Sequence, residues 1–210
     1  MRFHKLIITG NEAHFKIPMR SKFQNTYKIP PISTVVGMLQ NIYGKDINDF
    51  ELGYFIEYEG VGKEIINIYK EVNSRQKTLT CSDRFTKDII YVENLYKVRL
   101  VIYHNIEKEI EFKEPLTLGK ANYLANVKFE EIDLTNKLGL GYNQYTPKDI
   151  GYGMLTRINT VTKYNELKGY YEYETELVRE NLEEFELDNN YDEAEDMNIY
   201  VWKWSDGVVS

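Results

Sequence analysis

One short helix is the clearest local signal in a sequence whose other ordered segments have the pattern of β-strands. Just after Pro30-Pro31, apolar residues recur at helical spacing. They are Val35, Val36, Leu39, Ile42 and Tyr43. Ser33 is predicted as the N-cap, because its hydroxyl can accept a hydrogen bond from a first-turn amide, and Gly44 as the stop. The sequence therefore predicts a helix from about Thr34 to Tyr43, and the rest of the core must come from strands.

Alternating or β-branched segments predict strands on both sides of this helix. They are Met1–Gly10, Tyr54–Tyr58, Glu64–Val72, Tyr96–Tyr103, Ile110–Phe112, Val127–Leu134, Leu155–Tyr164, Tyr170–Leu177 and Ile199–Trp204. A helical turn is predicted around Leu118–Asn122. This order predicts an α+β fold, an antiparallel sheet with helices on one face, for which a ferredoxin-like or RNA-recognition-type core is the natural small solution.

Two polar, basic segments interrupt the strand pattern. Asn11–Ile29, named the basic loop here, has no sustained period, and loops this long in compact domains are usually functional. Asn73–Lys87 lies between two predicted strands. A basic segment enclosed by two strands predicts a protruding β-hairpin with a cationic tip.

Charge is divided unevenly along the 210 residues, whose formal net charge is −7. Residues 1–105 hold 15 Lys and Arg against 11 Asp and Glu, whereas residues 106–210 hold 11 against 22. Much of the acid lies in Glu172–Asp196, with 12 carboxylates and Arg179 as the one opposing cation. The first half can present a local field suited to a polyanion despite the global charge. The acidic segment is either a solvated surface or a site for a basic partner.

Metal and disulfide chemistry find little support. Cys81 is the single cysteine, which excludes an internal disulfide and a multi-cysteine metal site. His4, His14 and His104 lack the spacing of a helical metal pair. Neither a metal nor a cofactor is expected. With no apolar run of membrane-spanning length and no signal-peptide pattern at the start, no membrane contact and a cytoplasmic location are expected.

Three segments resemble a known family. Gly10–Pro18 followed by Thr26–Leu39 resembles the N-terminal signature of the fifth CRISPR-associated (Cas) family. In that family a strand, a small residue, Phe and a basic residue precede Pro, and Tyr or Ser, prolines, Ser and a helical Gly come later. Pro115–Ala121 is similar to the family's Pro-x-x-Leu-Gly-Arg/Lys element, and Tyr152–Tyr164, with Arg157 inside it, is a looser match.

The resemblance implies a single modified RNA-recognition domain over residues 1–210, with a thumb hairpin inserted around 70–100. The acidic C-terminal segment 172–196 matches nothing in the family. The implied role is that of a non-catalytic subunit of a type I Cascade surveillance complex, of type I-B, in antiviral defence. Such a subunit binds the 5′ handle of the crRNA and caps the backbone beside the large subunit. The implied partners are the crRNA, the backbone subunit (Cas family seven), the large subunit (Cas family eight) and, indirectly, target DNA.

The candidate RNA contacts combine cations, aromatic rings and a helix N-terminus. Cations neutralise phosphates, exposed rings stack on bases, and the first turn of a helix offers free amides to a phosphate. Phe15, Phe23 and Tyr27 supply the rings that alternate with cations in the basic loop. The predicted contacts are Lys16, Arg20, Lys22, Tyr27, Ser33, Thr34, Arg75, Lys77, Arg84, Lys120 and Arg157.

Two other functions stay open. A metal-independent endoribonuclease that processes repeat RNA would need a base, a proton donor and a cation, for which His14, Tyr27 and Lys22 are candidates. The Lys-His adjacency of the family's nuclease branch is absent from residues 95–125, so a non-catalytic subunit is favoured. The other is a protein-interaction scaffold whose acidic C-terminal half docks a basic partner, with incidental RNA contact.

Overall fold

The computed structural model describes residues 2–18, 22–71, 85–112, 114–165, 167, 170–188, 190–205 and 208–209. Within these ranges the chain forms one helix, α1 (Ile32–Tyr43), and fifteen strands. The strands are β1 (Arg2–Ala13), β2 (Phe23–Gln24), β3 (Phe50–Glu57), β4 (Gly60–Glu71), β5 (Phe85–His104), β6 (Asn126–Asp133), β7 (Gly139–Gly141), β8 (Gln144–Pro147), β9 (Met154–Asn165), β10 (Tyr170–Asn181), β11 (Phe185–Leu187), β12 (Tyr191–Asp192), β13 (Met197–Asn198), β14 (Val201–Ser205) and β15 (Val208–Val209).

An eight-stranded sheet forms the centre of the fold, in the order β15-β14-β3-β5-β1-β6, with β2 and β4 attached to β5. Its pairs are antiparallel except that between β2 and β5. The other strands form three small antiparallel sheets, β8-β10-β9, β11-β7 and β12-β13. The prediction of antiparallel sheet structure with a helix is therefore confirmed.

β5 joins the sheet body to a long hairpin. Its second half pairs with β1 and β3, and its first half pairs with β4 from Gly60↔Tyr96 to Glu71↔Phe85. The hairpin expected from the alternating pattern is thus present, with strands longer than the sequence predicted. Most of its basic tip, which the sequence placed at Asn73–Lys87, lies outside the described residues.

The sheet buries both of its faces, because successive side chains of a strand point to opposite sides. On one face, Leu6, Ile8 and Leu100 pack in the core that includes Val35 and Leu39 of α1. On the other face, Phe3, Phe55 and Tyr103 pack against Met197 and Ile199 of the C-terminal segment. The single described helix therefore covers one face, and irregular chain covers the other.

The acidic segment supplies buried ion pairs to this second face. Lys5 is 1% exposed, and its Nζ lies 2.7 Å from both Asp192 Oδ2 and Glu195 Oε1. Tyr103 donates to Asp192 Oδ2 at 2.7 Å, and Arg99 pairs with Glu195 at 2.6 Å. Two of the segment's carboxylates therefore hold the C-terminal chain against the sheet rather than facing solvent or a partner.

Three local predictions are wrong. The helix begins at Ile32 with Pro31 at the N-cap position, so Ser33 lies in the first turn and its side chain makes no capping bond. Leu118–Asn122 forms a tight turn inside the Thr117↔Leu124 bridge instead of a helical turn. Ile110–Phe112 is not a strand. In the part of the chain that the structure describes, no helix combines the length and hydropathy needed to cross a membrane.

Candidate nucleic-acid interface

The two ends of the basic loop pair with each other in a short ladder. Phe15 N donates to Thr26 Oγ1 at 2.8 Å, Tyr27 N donates to Phe15 O at 2.8 Å, and Lys16 forms a bridge with Thr26. The Phe15 side chain is buried in the core, whereas Lys16 is exposed. The ladder therefore removes Phe15 from the set of stacking rings and leaves Lys16 on the surface.

A second segment, about a hundred residues later, joins this ladder. His14 N donates to Leu118 O at 3.0 Å, and Leu118 N donates to Tyr123 O at 2.9 Å within the turn. Gly119 has φ +91, and a Cβ at this position would lie 2.0 Å from the carbonyl oxygen of His14. Such a contact admits only glycine, because it combines a left-handed backbone with no room for a side chain. The two most specific motif segments of the sequence thus meet in space.

Lys120 follows this glycine and faces the inner side of the β4–β5 hairpin. Its Nζ lies 5.0 Å from the centre of the Tyr123 ring and 3.4 Å from the Tyr123 hydroxyl. Burial lowers the pKa of Lys120, and Glu64 and Glu12 act in the opposite direction. Lys120 thus shares its charge with two carboxylates, which makes it a weaker phosphate ligand than the sequence suggested.

Lys22 and Phe23 lie against the outer side of the same hairpin. Lys22 O accepts from Tyr91 N at 2.9 Å, and the Phe23 ring stacks on the Tyr91 ring with centroids 5.1 Å apart. Phe23 is 59% exposed and Tyr91 39%. This pair forms an open aromatic surface beside the exposed Lys22. Tyr91 was not among the predicted residues, although its place on the outward face of an alternating strand was a usable signal.

Two buried tyrosines position the entry to α1. Tyr54 donates to Pro30 O at 2.8 Å, and Tyr145 donates to Ile29 O at 2.9 Å. Burial raises the pKa of both phenols well above the ordinary value, so both remain donors at any working pH. The Pro30-Pro31 segment is thereby fixed from two sides by residues that the sequence did not indicate.

The first turn of α1 leaves two backbone amides free. Pro31 O accepts from Thr34 N at 2.8 Å and from Val35 N at 3.2 Å. Among the described residues the amides of Ile32 and Ser33 have no acceptor. Ser33 can therefore serve a phosphate through its amide, but not through the capping role that the sequence predicted.

The remaining predicted contacts are dispersed or outside the described residues. Arg157 lies on β9, exposed, with its Nη1 3.4 Å from Thr175 Oγ1. No described contact joins it to the basic loop. Arg20, Arg75, Lys77 and Arg84 lie outside the described residues.

The histidines are enclosed by protein. His14 is 2% exposed, its Nδ1 lies 2.7 Å from Glu93 O, and burial lowers its pKa. His104 is fully buried, hydrogen-bonded to Tyr43 at 3.2 Å, and burial lowers its pKa to about 3. Neither ring reaches the surface on which Lys16 and Lys22 lie, so neither is placed to act as a general base there. Within the described ranges, no three His, Cys, Asp or Glu side chains lie close enough together to hold a metal ion.

Comparison with solved structures finds a chain of a "CRISPR RNA-guided surveillance complex" that covers 89% of this chain and 90% of its own length. The TM-score is 0.56 and the sequence identity is 10%. At this identity the likeness shows a shared fold. No protein-family model matches the sequence. No curated protein matches it either.

Proposed function

We propose that this chain is the subunit of a type I CRISPR Cascade complex that binds the 5′ handle of the crRNA. The observation that carries the proposal is the junction of the basic loop with the Leu118–Tyr123 turn, beside the exposed Lys16. The two segments that form this junction are those that resemble the fifth Cas family. The shared fold with a chain of an RNA-guided complex supports the same assignment.

Strand order supports a modified ferredoxin-like core. β6, β1, β5 and β3 are adjacent in that order and antiparallel, with α1 following β1. A ferredoxin-like unit has the chain order β-α-β-β-α-β. The proposed core keeps the four strands and the first helix, and the turn-containing chain between β5 and β6 replaces the second helix. The β4–β5 hairpin then takes the place of the thumb.

The chemistry of the surface supports single-stranded RNA. Lys16 and Lys22 are exposed at the two ends of the basic loop, and Phe23 with Tyr91 offers an open ring pair between them and the hairpin. Cations of this kind neutralise phosphates, and each stacked base contributes about 1–3 kcal/mol. The free amides at the start of α1 add a further anion site, held in place by Tyr54 and Tyr145.

The proposed role is non-catalytic, in antiviral defence, within a complex of type I-B. The chain caps the backbone formed by Cas family seven subunits, next to the Cas family eight large subunit, and meets target DNA indirectly. The alternative of a scaffold with an acidic docking surface is weakened, because Asp192 and Glu195 are paired with Lys5 and Arg99 inside the protein.

Co-expression with the neighbouring genes tests the proposal. The tagged chain should co-purify with guide RNA and the other subunits, and guides that lack the 5′ handle should recover much less of it. Removal of the guide's 3′ end serves as the matched control and should have no such effect. Equal recovery of the chain with both shortened guides would contradict a role at the handle.

A further inference from the structure

A groove runs along the inner side of the β4–β5 hairpin, with a volume of about 430 Å³. We name it the hairpin groove. It is lined by Glu12, Gln24, Glu64, Ile66, Ile68, Ile90, Val92, Lys120, Asn122 and Tyr123. Its size falls in the range of sites that hold small molecules. None of the predicted RNA contacts except Lys120 lies in its wall.

The floor of the hairpin groove is apolar and its rim is polar. Ile66 lies opposite Ile90, and Glu64 opposite Val92, so the aliphatic side chains form one continuous strip on this face. Ile90 and Val92 are 6% and 2% exposed. A flat, apolar ring face fits such a floor, whereas a phosphodiester backbone does not.

The rim carries groups that the protein does not use. The side-chain amides of Gln24 and Asn122 have no hydrogen-bond partner among the described residues. Glu64 accepts a long bond of 3.4 Å from Tyr96, while Glu12 lies beside the Tyr123 hydroxyl. Glu12 is therefore the more available carboxylate. Two carboxylates against the single Lys120 repel phosphates from the groove and favour a ligand that donates hydrogen bonds.

The far end of the groove is closed by the next cross-strand pair. Asn94 lies opposite Gly62, and the Tyr96 ring folds over this glycine, where a Cβ would lie 2.6 Å from the ring. The fully buried Asn94 amide lies near the Tyr96 and Tyr123 hydroxyls without a hydrogen bond of good geometry. A ligand therefore enters from the open side, past Gln24 and Asn122.

We propose that the hairpin groove binds one unpaired guanine base of the guide RNA, with Glu12 as the acceptor. This inference rests on the proposed function. Guanine is the one common base whose Watson–Crick edge presents two adjacent donors, N1–H and the N2 amine, to the two oxygens of a carboxylate. Cytosine, uracil and adenine each place an acceptor on that edge, which a carboxylate repels. The ring faces pack on Ile90 and Val92, and Lys120 is left for the phosphate of an adjoining nucleotide.

The test is fluorescence anisotropy with the full chain and three RNAs of equal length: oligouridylate, the same RNA with one central guanosine, and the same RNA with inosine there. The guanosine RNA should bind about ten-fold more tightly than oligouridylate, as expected for one bidentate contact. Inosine, which lacks the N2 amine, should lose most of this gain. Glu12→Gln should abolish the preference without weakening oligouridylate, and the exposed Glu107→Gln serves as the matched control.

The outcomes separate this inference from the proposed function. Equal affinity for the three RNAs, with binding still dependent on Lys16 and Lys22, overturns the guanine site alone. A guanosine preference that survives in Glu12→Gln also overturns it, provided that the variant's thermal unfolding midpoint matches that of the parent. Absence of binding to any of the RNAs overturns both.

Discussion

Gly119 packs so closely on His14 that a Cβ at position 119 would lie 2.0 Å from the His14 carbonyl oxygen. This contact joins two segments separated by more than a hundred residues of chain. It also sets the position of Lys120 relative to the basic loop, because the next residue of the turn has no freedom to move away. The proposed RNA surface therefore depends on a backbone contact as much as on its cations.

Gly119→Ala should destabilise the protein by more than about 2 kcal/mol, since it combines a left-handed backbone with a direct clash. Gly37→Ala is the matched control. Beyond the backbone of its own helix, α1, no atom lies within 4 Å of the place that an alanine methyl group would take, and the substitution should stabilise the helix by about 0.5–1 kcal/mol. Denaturant unfolding measures both changes. Equal stability of the two variants would show that the contact with His14 is not maintained in solution.

Lys5→Met should destabilise the protein by about 3–5 kcal/mol, because it leaves Asp192 as a buried carboxylate without its ion-pair partner. The double variant Lys5→Met/Asp192→Leu should recover much of the loss, since it removes both charges. A double-mutant cycle by denaturant unfolding measures the coupling. Additive effects of the two substitutions would contradict the buried pair.

Acid should loosen the C-terminal segment. Burial alone would raise the pKa of Asp192, but hydrogen bonds from Lys5 and Tyr103 outweigh it and hold that pKa below its ordinary value. Glu195 behaves likewise through Arg99 and Lys5. Groups with a lowered pKa stabilise the fold above their unfolded values of about 3.9 and 4.3 and lose this contribution as the pH falls below them. Unfolding free energies measured from neutral pH downward should therefore fall in the acid range, less steeply in Asp192→Asn.

The isolated chain should not cleave CRISPR repeat RNA in the presence of a chelator. His14 is buried beside Glu93 and its pKa is lowered by burial, and His104 is buried against Tyr43. Neither can take a proton from a 2′-hydroxyl at the surface. A single discrete cut, seen on a denaturing gel and lost in His14→Ala, would instead identify the chain as the endoribonuclease.

The helix and the strands of the main sheet were predictable because their signals are local. Apolar spacing after Pro30-Pro31 located α1 to within two residues at its start. Alternation located the strand cores of β5 and β9, although both strands extend beyond the predicted ends. Ser33 was misplaced, since Pro31 already fits the N-cap backbone and no local rule decides between neighbouring candidates.

The features missed by the sequence are pairings between distant residues. Twelve carboxylates in Glu172–Asp196 predicted a solvated or partner-binding segment, and no composition rule indicates that Asp192 finds Lys5 at the opposite end of the chain. Lys120 was correctly recognised as a cation beside a close-packed glycine. Its neighbours Glu12 and Glu64 come from β1 and β4, so their effect on it became apparent only from the fold.

The salt dependence of RNA binding tests the central claim most directly. Affinity for a single-stranded handle RNA should be measured at several salt concentrations for the parent, Lys16→Ala/Lys22→Ala, and the control Lys45→Ala/Lys203→Ala, which removes two exposed lysines elsewhere. The account predicts that each lost phosphate contact lowers the slope of log affinity against log salt by about 0.7, for the first pair alone. An unchanged affinity and slope in Lys16→Ala/Lys22→Ala, or an equal loss in the control, would contradict an RNA site on the basic loop.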